Sequence, residues 1–140
     1  MQLRAALTLL FVSIAAPAFA ERTPAPENAE VYLVQPIDGA VVTSPVTVVF
    51  GLRGAGIAPA GVELPNTGHH HLLINVDPAT IDFENPLPAS DELVHFGGGQ
   101  TETTLDLPAG EHSLQLLFGD HNHIPHEPPV LSEPVTINVQ

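Results

Sequence analysis

Proline sets the first limit on what this chain can fold into. Fourteen of its 15 prolines follow residue 20 and punctuate the chain from there to its end. Proline fixes φ and offers no amide hydrogen, so few windows can hold a regular helix. The apolar segments between the prolines show period two or short β-branched runs. Residues 31–35 and 46–50 read as two strands, and His70, Leu72, Ile74 and Val76 alternate in a third. Residues 93–96, 101–107, 112–118 and 134–139 complete seven, labelled A to G. Such a count predicts an all-β fold, an immunoglobulin-like β-sandwich of about seven strands over residues 31–140. A closed barrel is the alternative. Leu107, Gly110 and His112 have the Leu-x-x-Gly-x-Tyr spacing of a tyrosine corner at the E–F turn, with His in place of Tyr. His112 is therefore expected to be structural, its ring bonded to backbone.

Residues 1–20 carry a different signal. Arg4 gives a basic start, residues 5–16 form an apolar run, and Ala18-Phe19-Ala20 is a small-x-small cleavage pattern. The run is shorter than the roughly 20 residues a membrane span requires. The expectation is a signal peptide over 1–20 and an exported protein, in the periplasm of a Gram-negative bacterium or secreted. No membrane insertion is expected after cleavage. Residues 21–30, polar and Pro-rich, are expected to be a flexible leader.

Cleavage would remove Met1, the sole methionine, and the chain has no Cys. Thiolate and thioether ligands are thereby excluded, and any metal site must be built from imidazole and oxygen. Disulfides and a thiolate nucleophile are excluded too. With 3 Lys+Arg against 16 Asp+Glu, the formal charge is -13. Such a chain cannot neutralise phosphates, which argues against nucleic acid and against an anionic membrane surface as partners. The 8 histidines are the anomaly.

In an immunoglobulin-like sandwich the B–C, D–E and F–G connections gather at one end. His69, His70 and His71 open strand C, His95 ends strand D, and His121, His123 and His126 follow strand F. All of these are expected at that pole, and His112 at the other. His69 and His71 project from one face of a strand, roughly 7 Å apart at Cα. His121 and His123 repeat that spacing, and strands C and F are antiparallel neighbours, so the two pairs should face each other. His69, His71, His95, His121, His123 and His126 are the candidate ligands. Such a set suits Cu(II) or Zn(II). Asp120 and Glu127 are expected to fix ring tautomers, and Gly97, Gly98 and Gly99 to let backbone approach closely. His70 shares a face with Leu72 and Ile74 and is expected to cap the core. Asp77, Asp82, Glu84, Asp91 and Glu92 are expected on a solvated loop at the opposite pole.

Four segments carry a resemblance: 36–42, 66–74, 95–103 and 119–126, the last three holding His69, His70, His71, His95, His121, His123 and His126. Through them residues 31–140 resemble short secreted bacterial proteins grouped as domain of unknown function family 4399. The resemblance implies an exported bacterial domain without an established activity. A weaker likeness is to periplasmic copper-carrier sandwiches of the CopC type. Those use a His at the mature N-terminus, where this chain has Glu21.

No Gly-x-Ser-x-Gly elbow is present, so acyl-enzyme chemistry has no support. The sequence favours a metal carrier, buffer or sensor. A metal-free module that presents its His-rich loops to a cell-envelope protein is the alternative. A metal-dependent enzyme would further need an open coordination position and a pocket.

Overall fold

A computed structural model describes residues 22–140. The signal peptide expected over 1–20 lies outside the described residues. Nine strands follow in chain order: β1 Glu30–Gln35, β2 Val41–Val42, β3 Val46–Arg53, β4 Gly56–Ile57, β5 Thr67–Ile74, β6 Leu93–His95, β7 Glu102–Leu105, β8 Gly110–Gly119 and β9 Val135–Val139. The seven expected strands are all present; β2 and β4 are two-residue additions. A single 3-10 turn, Pro78–Thr80, is the sole helical element among the described residues.

The strands form two packed sheets. One has the order β1-β3-β7; the other runs β2-β9-β8-β5-β4, with β6 also paired to β5. The β5–β8 pair is antiparallel, with His69 opposite Gly119 and His71 opposite Leu117. The expected adjacency of the C and F strands is therefore present. Alternation fills the space between the sheets with Val46, Val48 and Phe50 of β3, Leu72 and Ile74 of β5, Leu114, Leu116 and Phe118 of β8, and Ile137 and Val139 of β9. Each fully buried Leu or Phe of this kind contributes roughly 1.5–3 kcal/mol.

β5 differs from an ordinary sandwich strand because both of its faces are buried. Its outer face carries Leu73, which joins Leu87, Leu93 and Leu117 in a second apolar cluster, with Ile81, Phe83 and Leu131 packed against it. The acidic loop is thus more than a solvated excursion. Asp77, Asp82, Glu84, Asp91 and Glu92 are exposed as expected, but Ile81, Phe83 and Leu87 fold the loop back over the sheet. The Leu87 amide donates to the His123 carbonyl at 2.9 Å.

Within the leader expected to be flexible over 21–30, residues 22–25 pair with residues 125–127. Thr23 and Ala25 exchange backbone hydrogen bonds with Glu127, and the Arg22 guanidinium donates to the carbonyls of Pro125 and His126. Arg22 also pairs with Glu84 and Glu127. These contacts tie residues 22–25 to the segment after β8.

His112 occupies the corner as expected. Its Nε2 lies 2.9 Å from the Pro108 carbonyl, and its Nδ1 lies 3.0 Å from the side-chain Nδ2 of Asn75. A carbonyl can only accept, so Nε2 donates and Nδ1 receives the Asn75 N–H.

Candidate metal centre

The pleat of β5 divides the histidine triplet. His70 points inward against Phe50 and Phe118, with ring centroids 5.2 and 5.7 Å away. It is the core cap that the alternation predicted. His69 and His71 point outward, and β6 places His95 directly opposite His71. The turn after β8 delivers His123 to the same spot.

Four rings therefore meet on the outer face of β5. His69 lies 4.8 Å from His71, 4.9 Å from His95 and 5.1 Å from His123, centroid to centroid. His95 and His123 are 4.5 Å apart. One ring nitrogen from each of His69, His95 and His123 lies within 4.8 Å of the others. The Nε2 atoms of His69 and His95 are 3.1 Å apart. Two nitrogens on one tetrahedral zinc are separated by roughly 3.3 Å, given Zn–N bonds of about 2.0–2.1 Å. The spacing is thus close to what a shared metal needs. His69 is buried, whereas His95 and His123 are partly open.

Two glycines make room for these rings. A Cβ on Gly97 would stand 2.3 Å from Cε1 and 2.6 Å from Nε2 of His95. A Cβ on Gly119 would stand 2.7 Å from Cε1 of His71. The expected role of the 97–99 run is met at Gly97. Gly119 was not singled out by the sequence, although Gly followed by Asp after an alternating strand is a turn signal.

His121 and His126 stand apart from the cluster. The second His-x-His pair was expected to share a face because it was read as extended chain. β8 ends at Gly119, however, and the next residues form a turn closed by a 3.0 Å bond from the His123 amide to the Asp120 carbonyl. His123 has φ 68°, a left-handed conformation that costs a non-glycine residue about 1–2 kcal/mol. The turn sends His123 to the cluster and His121 toward Glu63, 4.0 Å away. His126 is buried and stacks on Phe118 at 5.3 Å. A cleft of about 310 Å³ is lined by Thr23, Glu63, Asp120, His121 and His126 and by none of the clustered rings.

Asp120 and Glu127 do not fix tautomers. Asp120 accepts from the Thr23 hydroxyl at 2.7 Å and from the amides of Asn122 and Ile124 at 2.8 and 3.0 Å. Burial works to raise its pKa, but these three donors and the nearby His121 hold it below the usual carboxylate range. Asp120 is thus the fastener of the turn that presents His123. Glu127 is spent on Arg22.

His69, His71 and His95 favour the neutral, ligating form. Burial first, and then the neighbouring imidazoles, push His69 down to about 4 and His71 to about 2. Burial and His123 lower His95. The cluster also has open valences. Nδ1 of His69 and both ring nitrogens of His71 are buried without a hydrogen-bond partner. An unpaired buried polar atom costs about 1–3 kcal/mol.

The family model described as domain of unknown function (DUF4399) matches residues 48–140. The matched span contains every histidine of the cluster. Comparison with curated proteins and with solved structures returns no match.

Proposed function

The chain belongs to the DUF4399 family, and we propose that it is an exported metal-binding protein that carries, buffers or senses Cu(II) or Zn(II) in the periplasm. The reading rests on one observation above all. Three segments far apart in sequence converge to put ring nitrogens of His69, His95 and His123 within 4.8 Å of one another. Imidazole is a borderline donor that suits both ions, and three donors meet the minimum for a tight site. Because burial disfavours protonation of His69, protons compete weakly for it at neutral pH. Residues 1–20 support export through their basic start, apolar run and Ala18-Phe19-Ala20 ending.

Calorimetric titration of residues 21–140 with Zn(II) and Cu(II) tests the reading. One site per chain with Kd below about 1 μM is expected, with at least about 100-fold loss in the His69→Ala/His95→Ala double variant. Binding no tighter than about millimolar, or equal binding by the double variant, would overturn it.

A further inference from the structure

We propose that His71 is a fourth ligand, so that the loaded centre is a closed, four-imidazole site without a coordinated water. The proposal rests on the reading of His69, His95 and His123 as a metal centre and adds how that centre is completed.

His71 is 1% exposed and neither of its ring nitrogens has a hydrogen-bond partner. Burial without partners is not by itself a sign of ligation, since His70 shares it. The difference is in the surroundings. His70 faces Phe50 and Phe118. His71 lies 4.8 Å from the His69 ring and stacks on His95 at 5.1 Å with 28° between the planes. It also reaches His123 at 6.2 Å. A buried imidazole beside three converging nitrogens can satisfy its lone pair by turning it toward the same ion. The ring nitrogens of His69, His95 and His123 form the set within 4.8 Å, and His71, whose ring packs against Gly119, would join that set by turning toward it on loading. Zinc in closed sites takes four ligands in tetrahedral array, whereas a catalytic site keeps one position for water. Four neutral imidazoles would leave no position for a substrate, which makes the centre a holder of metal rather than a hydrolytic one.

X-ray absorption at the zinc edge of the loaded protein, residues 21–140, reads the first shell directly. Four nitrogen scatterers at about 2.0–2.1 Å with an imidazole outer-shell pattern are expected. In His71→Leu the expected shell is three imidazoles and one solvent oxygen, with affinity for Zn(II) reduced about 10-fold or more. A wild-type shell of three imidazoles plus oxygen would overturn the closure and leave the three-histidine centre standing. An unchanged shell in His71→Leu would do the same. Failure of the wild type to hold zinc would overturn both. If His71→Leu does not fold, the wild-type spectrum decides alone.

Discussion

Each histidine acquires its role from the atoms around it. His112 bonds Pro108 and Asn75 at the far corner, away from the clustered rings. Replacing it with Ala should cost about 1–3 kcal/mol in urea unfolding, the range for buried hydrogen bonds lost, and leave metal affinity unchanged. Loss of affinity without loss of stability would contradict the division of roles. Gly97 and Gly119 act by what they lack. The backbone at neither is left-handed, so Ala is conformationally allowed at both, and its methyl group meets a histidine ring more closely than any other neighbour. Gly97→Ala should displace His95, and Gly119→Ala should displace His71. Each is expected to weaken Zn(II) binding at least 10-fold in calorimetry while the β-rich circular dichroism spectrum persists. Full affinity in both variants would show that the rings need not stand where they do.

The strands were legible in the sequence, because alternation at residues 70–74 and 112–118 needs only a period-two reading. So was the division of the triplet, with His70 inward and His69 and His71 outward. The turn after β8 was not. Its conformation depends on Asp120 gathering Thr23, Asn122 and Ile124, and one of these lies 97 residues away in sequence. Local spacing cannot register such a contact, and so His121 was paired with His123 when the turn separates them. The covering of β5 was hidden for a similar reason. Ile81, Phe83 and Leu87 are scattered among prolines and acids with no period to mark them as one face. The turn gives its own prediction. Asp120→Ala should loosen residues 120–124 and weaken metal binding about 10–100-fold, the usual cost of losing a group that orients a ligand. His121→Ala should change it less than about 2-fold. The opposite ranking would place the metal in the cleft beside Glu63.

At the scale of the molecule, an acidic chain keeps a set of neutral imidazoles under cover. Burial holds His69 and His70 near 4 and His71 near 2, while an unfolded chain titrates them near about 6.5. Above that pH neither state binds the protons, and the stability is fully present. As pH falls from about 6.5 toward 4 the unfolded state takes up protons that the folded state refuses. Stability is lost by up to about 1.4 kcal/mol per pH unit for each such ring. Urea midpoints of the metal-free protein should therefore fall steadily across this window, and a flat profile from pH 7 to 4.5 would contradict the burial of the rings. Bound metal, which favours the deprotonated folded form, should shift the fall to lower pH. One ion should be held where β5, β6 and the turn after β8 meet. Anomalous diffraction at the zinc edge from crystals of the loaded protein locates it. A single peak about 2.0–2.2 Å from ring nitrogens of His69, His95 and His123 is expected; a peak beside His121 and Glu63 instead, or no peak in crystals grown with excess zinc, would overturn the assignment.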